Sequence, residues 1–185
     1  AGRYGNLPAA NRGTFVAIVD EVTASTRLIK AQGGAEAECL LPVMSNSVPV
    51  HIPVLLDEVV HWLEQRPGAV IVDGTLGGGG HTRALAERVG PNGRIIALDR
   101  GPAAIAAAEK NLAGLPVAVS HASFADLPEV LGQLGISAVD GVILDLGLSS
   151  DQLADPERGF SFTSQGPLDL RFDPTAGEPA WRLLN

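Results

Sequence analysis

Asp73-Gly74-Thr75-Leu76-Gly77-Gly78-Gly79-Gly80-His81 follows the apolar run Ala69-Val70-Ile71-Val72, and Asp99 closes a second apolar run, Ile95-Ile96-Ala97-Leu98. A glycine-rich loop lets backbone approach a ligand where any Cβ would collide, and its residues reach positive φ without strain. A carboxylate at the end of the next strand can accept hydrogen bonds from the two hydroxyls of a ribose. Strand, glycine loop, helix, strand and acid, in that order, describe a nucleoside-binding crevice at the carboxyl edge of a parallel sheet.

The pattern continues on both sides of this unit. Pro53 suits the first turn of a helix, and Val54, Leu55, Val59, Trp62 and Leu63 recur at helical spacing up to Pro67-Gly68. After the glycine loop a helix is expected from His81 to Val89, then turn chemistry at Gly90-Pro91-Asn92-Gly93 and a strand over 94–99. The alanine-rich stretch Pro102 to Leu112 is a strong helix former. A short strand over 116–120, a helix over 127–134 and a fourth strand over 139–146 complete the alternation. Strands alternating with helices imply right-handed crossovers and a parallel sheet in the order 3-2-1-4. Beyond Leu146 the chain breaks into polar turns, Ser149-Ser150-Asp151, Asp155-Pro156, Gln165-Gly166-Pro167 and Asp173-Pro174.

Composition narrows the class. The chain has 185 residues, 45% hydrophobic and 18% charged, which is globular rather than disordered. No run approaches the ~18 consecutive apolar residues of a spanning helix, so no membrane partner is expected. Cys39 is the single cysteine, which excludes a disulfide framework and a cysteine-based zinc site and fits a cytoplasmic setting. No spacing among His51, His61 and His121 reads as a metal site. In residues 1–50, Arg3, Arg12, Arg27 and Lys30 balance Asp20, Glu21, Glu36 and Glu38, so the net charge of −8 lies in 51–185. An acidic segment is a poor polyanion binder by bulk electrostatics, so a nucleic-acid substrate needs a local basic surface. Residues 1–50 read as an extension of unknown role, with one strand candidate at 14–19 and a linker at Ser45-Asn46-Ser47-Val48-Pro49.

Three cofactor readings compete for the loop. A P-loop ends in Gly-Lys-Ser/Thr; here Gly80 is followed by His81-Thr82, and neither Lys30 nor Lys110 is near. A dinucleotide fingerprint needs G-x-G-x-x-G, but the frame from Gly74 has Leu76 in the middle, and those from Gly77 and Gly78 end on Thr82 and Arg83. The third reading is S-adenosylmethionine. Its sulfonium and amino-acid end need no pyrophosphate cradle, and Asp73 suits positive charge where it would repel a pyrophosphate. Asp99 then takes the ribose. A merely flexible turn is the bland alternative, and four consecutive glycines between a strand and a helix lose much entropy for no return.

Further segments carry a resemblance. His51-Ile52-Pro53-Val54-Leu55-Leu56-Asp57-Glu58-Val59, the glycine loop, Asp140-Gly141-Val142-Ile143-Leu144-Asp145-Leu146-Gly147-Leu148-Ser149-Ser150, Gln152-Leu153, Glu157-Arg158-Gly159-Phe160-Ser161-Phe162 and Gly166-Pro167-Leu168-Asp169-Leu170-Arg171 occur in order. Over residues 51–185 the chain resembles the ribosomal RNA small subunit methyltransferase H family, and the last two segments discriminate better than the loop. The resemblance implies a Rossmann-like α/β S-adenosylmethionine-dependent methyltransferase fold of which 51–185 is the N-terminal part, truncated on its C-terminal side. It implies methyl transfer from S-adenosyl-L-methionine to the exocyclic N4 of a cytidine in the decoding region of 16S rRNA, with the small ribosomal subunit as partner; a homodimer stays open. The implied cofactor contacts are Gly79, Gly80, His81, Asp99, Phe124, Asp145 and Gln152. Gly78, Asp151 and Leu148 depart from the usual arginine, proline and valine, and the first departure removes a positive charge from the loop.

Single residues keep two readings. Phe124 is a core aromatic or an adenine contact. Asp145 is a solvated strand terminus or the candidate catalytic acceptor for the N–H groups of the amine being methylated. Arg158 and Arg171, interleaved with Phe160, Phe162 and Phe172, suit stacking on unpaired bases, or pair with Asp155, Asp169 and Asp173 and staple their loop. The run Trp181 to Asn185 reads as a helix interrupted in mid-course, and the fourth strand is expected to lie at an open apolar edge, an aggregation hazard. A fragment of this kind is expected to be poorly soluble and catalytically weak. The rival function is a non-catalytic or nicotinamide-dinucleotide-binding Rossmann module.

Overall fold

The computed structural model describes residues 15–20, 25–30, 53–63 and 66–184. Cys39, the linker expected at 45–49 and His51 lie outside the described residues. In chain order the elements are β1 (Phe15–Asp20), β2 (Ser25–Lys30), α1 (Leu56–Trp62), β3 (Val70–Asp73), α2 (Gly80–Val89) and β4 (Arg94–Asp99). They continue with α3 (Pro102–Asn111), β5 (Val117–His121), α4 (Leu127–Gln133), β6 (Gly141–Leu146) and a one-turn α5 (Ser150–Ala154). Three short 3-10 turns, Phe124–Asp126, Pro156–Arg158 and Ala180–Leu183, complete the set.

The six strands form one sheet in the order β2-β1-β6-β3-β4-β5. All neighbours are parallel except β1 and β2. From β3 the chain steps outward through β4 to β5, then crosses back to the other side of β3 with β6. The carboxyl ends of β3 and β6 therefore flank the topological switch point, where open α/β sheets bind ligands.

The centres of β3, β4 and β6 are apolar because both faces of the sheet are covered there. Side chains alternate across the sheet. Ile71, Ile95 and Ile143 pack with Val59, Leu63, Leu85 and Val89 of the α1 and α2 layer, and Ala97 packs with Leu76, Ala108 and Leu112. Val72, Ile96, Leu98 and Val142 point the other way, onto Leu127, Val130 and Leu131 of α4. Each fully buried isoleucine or leucine here is worth roughly 1.5–3 kcal/mol of transfer free energy.

Three expectations change. Pro53 lies before α1 rather than in its first turn; the helix starts at Leu56, after Leu55 in the left-handed region at φ 54°. The Trp181 segment is a 3-10 turn, not a longer helix. The outer edge of β6 is not open, because β1 runs parallel to it from Phe15 opposite Gly141 to Asp20 opposite Leu146.

Candidate functional site

The glycine loop leaves the end of β3 and is held by its own neighbours. Asp73 is 1% exposed. One of its oxygens accepts from the Thr75 N–H at 3.1 Å and the other from the Thr82 hydroxyl at 2.6 Å. Burial pushes its carboxyl above the usual range, against the pull of these two bonds. Asp73 thus braces the loop from inside, tying β3 to the first turn of α2, and does not present its charge to a ligand as the sequence suggests. The loop backbone is pinned further by Leu76 N–H on the Leu98 carbonyl, at 2.9 Å. Gly77 and Gly79 take φ of 49° and 77°, conformations that a side chain would disfavour.

Asp99 ends β4 beside this loop. Its Oδ2 accepts from Gly77 N–H at 2.8 Å and its Oδ1 from Gly101 N–H at 2.7 Å. Each carboxylate oxygen has a second acceptor position. The carboxylate is held rigid by two backbone donors and can still accept two hydroxyls.

On the other side of the switch point, Gly74 N–H donates to the Ile143 carbonyl at 3.0 Å, and Asp145 N–H donates to Thr75 Oγ1 at 2.6 Å. The Asp145 carboxylate faces His81, with Oδ2 3.8 Å from Nδ1 and both side chains largely buried. His81 Nε2 lies 3.0 Å from the Val54 carbonyl. A carbonyl only accepts, so Nε2 carries a proton and the ring anchors the segment before α1. That segment closes over the loop: a Cβ built on Gly80 would fall 2.1 Å from the Pro53 ring. Of the three implied loop contacts, Gly79, Gly80 and His81, it is His81 that meets Asp145, while Asp99 reaches the loop through Gly77. α2 has no acidic residue of its own in its first turn.

Phe124 opens a 3-10 turn past β5 and is 45% exposed, with its Cβ next to Gly74. It stands at the lip of the crevice, not in the core. Gln152 forms a capping box with Ser149: its Oε1 accepts from Ser149 N–H at 2.9 Å while Ser149 Oγ accepts from Gln152 N–H at 3.2 Å. Its amide NH2 keeps its donors.

Residues 156–184 fold back over the tips of β4 and β5. The Arg100 guanidinium lies 5.9 Å above the Phe172 ring, and Asp173 pairs with His121 at 3.2 Å. Arg171 grips Asp169 with two nitrogens at 2.9 and 2.7 Å. Arg158 donates to the Arg171 and Phe172 carbonyls at 2.5 and 3.0 Å. Both arginines staple the loop. Phe160 packs on Phe172 at 5.5 Å between ring centres, while Phe162 is fully exposed beside a hollow of about 350 Å³. Among the described residues no three His, Cys, Asp or Glu side chains cluster to hold a metal, and no helix is long and apolar enough to cross a membrane.

A family model described as the MraW methylase family matches residues 49–185. The chain belongs to that family. Its sheet order, with the switch point between β3 and β6, is the Rossmann-like methyltransferase fold. It is 49% identical over 137 residues to the ribosomal RNA small subunit methyltransferase H of Thermomicrobium roseum, covering 73% of this chain and 42% of that protein. With the protein of the same name from Trichlorobacter lovleyi it is 50% identical over 136 residues, 72% of this chain and 44% of that one. This MraW-family chain thus spans less than half the length of these curated relatives. Over 42% of its own length it also overlays on 31% of a SAM-dependent O-methyltransferase from Thermotoga maritima, at 25% identity and a TM-score of 0.38.

Thr75, Thr82 and Pro53 help build the crevice of this MraW-family chain without being legible as site residues. Thr75 stands two positions past the end of β3, where a hydroxyl can reach the neighbouring strand; that spacing is the one signal that singles it out.

Proposed function

We propose that residues 51–185 form the N-terminal part of an S-adenosylmethionine-dependent rRNA methyltransferase that methylates N4 of a cytidine in the decoding region of 16S rRNA. Residues 1–50 are then an extension to that domain, the setting is cytoplasmic and the small ribosomal subunit is the partner. The single observation that carries the donor reading is the Asp99 carboxylate, fixed by Gly77 and Gly101 N–H groups at 2.8 and 2.7 Å with acceptor capacity left for a ribose.

The remaining residues fit the rest of the donor. The Gly79, Gly80 and His81 backbone at the start of α2 suits its carboxylate. Phe124, half exposed at the lip, offers a ring face to adenine, and Gln152 keeps its amide donors. The bound donor supplies an electrophilic methyl group on a sulfonium.

This chain's residues orient the acceptor. A cytosine amino group has its lone pair delocalised into the ring, so holding its N–H groups and aligning the nitrogen with the methyl carbon lowers the barrier. Asp145, on the crevice wall, is the candidate to accept those N–H bonds. His81 holds the Val54 carbonyl and is not the base in this reading. Phe162 is the exposed ring suited to stack on an unpaired neighbouring base.

The test is transfer of labelled methyl to small ribosomal subunits, followed by digestion to nucleosides. Label in N4-methylcytidine, reduced by Asp145→Asn even at saturating donor, is the expected result. Label on another base, or normal transfer by Asp145→Asn, contradicts the reading.

A further inference from the structure

We propose that Thr75 is the positioning residue of this crevice: its hydroxyl replaces a rung of the β3–β6 ladder and fixes the Asp145 backbone beside the methyl donor. The proposal rests on the donor reading above. The last paired residues of the two strands are Asp73 and Ile143. Gly74 N–H still reaches the Ile143 carbonyl at 3.0 Å. In a regular parallel pair the next rung would run from Asp145 N–H to the Gly74 carbonyl. At Gly74 the chain turns into the glycine loop, and it is Thr75 Oγ1 that accepts the Asp145 N–H, at 2.6 Å.

The exchange has two consequences. The strands part at their carboxyl ends, which opens the switch-point crevice, and the partly buried Asp145 amide is satisfied all the same. The tip of β6 is also tied to the same loop that Asp99 holds through Gly77. One threonine therefore sets the distance between the two walls of the crevice, and with it where the Asp145 carboxylate stands relative to His81. Thr75 does this from a restrained side chain: its second Cβ substituent narrows χ1, and its own N–H is held by Asp73 at 3.1 Å.

Valine has nearly the shape of threonine and no acceptor, so it leaves the Asp145 N–H without a partner; serine keeps the acceptor. Binding of S-adenosylhomocysteine to the 185-residue chain is measured by calorimetry for the unmodified protein, Thr75→Val and Thr75→Ser, with 1H–15N spectra reporting the Asp145 amide. Thr75→Val is expected to bind about tenfold more weakly or worse and to shift the Asp145 amide resonance. Thr75→Ser is expected to restore both. Unchanged affinity in Thr75→Val, or Thr75→Ser as weak as Thr75→Val, overturns the proposal. Should Thr75→Val fail to fold, Thr75→Ala against Thr75→Ser makes the same comparison with the same outcomes. Absence of binding by the unmodified chain contradicts the donor reading itself and is seen before any variant is compared.

Discussion

The Pro53 ring occupies the space that a side chain on residue 80 would need: a Cβ on Gly80 would lie 2.1 Å from Pro53 Cγ and 3.0 Å from its Cδ. The segment before α1 and the glycine loop are one packed unit, joined a second time by His81 and the Val54 carbonyl.

Gly80→Ala should therefore expel the Pro53–Leu55 segment from the loop. The proline ring is rigid and cannot swing aside as a long side chain would. The expected outcome is weakening of donor binding by about tenfold or more, with destabilisation of roughly 1–3 kcal/mol, the usual size of an overpacking strain. Urea unfolding and calorimetry on the same samples measure the two effects.

The staple of the C-terminal loop should respond to acid. Hydrogen bonds from Arg171 hold the Asp169 carboxyl down to about 2, from an ordinary 3.8. Because the folded value is the lower one, the pair's contribution is complete above about pH 4 and is lost as pH falls toward 2. Trp181 N–H donates to the Leu168 carbonyl and Ala180 N–H to that of Asp169, so Trp181 reports on this loop. In a Trp62→Phe background, Trp181 fluorescence is expected to change over that window, and Asp169→Asn to reduce the pH dependence.

Strand β1 covers β6 in parallel register, with Ala17 opposite Ile143. Deleting residues 1–48 removes that cover from a strand whose sequence is apolar from Val142 to Leu144. Faster amide exchange in Gly141–Leu146 and concentration-dependent self-association in sedimentation are the expected results. Unchanged exchange in β6 would show that β1 does not protect it.

The central sheet is legible in the sequence because its cause is local. Residues 95–98 and 142–144 are apolar runs because both faces of the sheet are covered, and glycine lies within three residues of each end. Asp99 is legible for the same reason, standing where a strand must end. Asp73 shows the limit: an acid between an apolar run and a glycine loop reads alike whether it faces a ligand or, as here, turns inward to Thr75 and Thr82.

The loop 147–184 has no period to read. Its shape depends on Arg158 reaching the carbonyls at 171 and 172 and on Arg171 gripping Asp169. Charge alternation alone does not separate such staples from free cations awaiting RNA. The place of β1 beside β6 is equally hidden, since strand pairing between distant segments leaves no mark in either.

Titration of the 185-residue chain with S-adenosylhomocysteine, with NAD in parallel and Asp99→Ala as control, tests the central claim most directly. The account predicts saturable one-to-one binding of S-adenosylhomocysteine, lost in Asp99→Ala, and none of NAD. Binding of NAD in preference, or S-adenosylhomocysteine binding that survives Asp99→Ala unchanged, would contradict it.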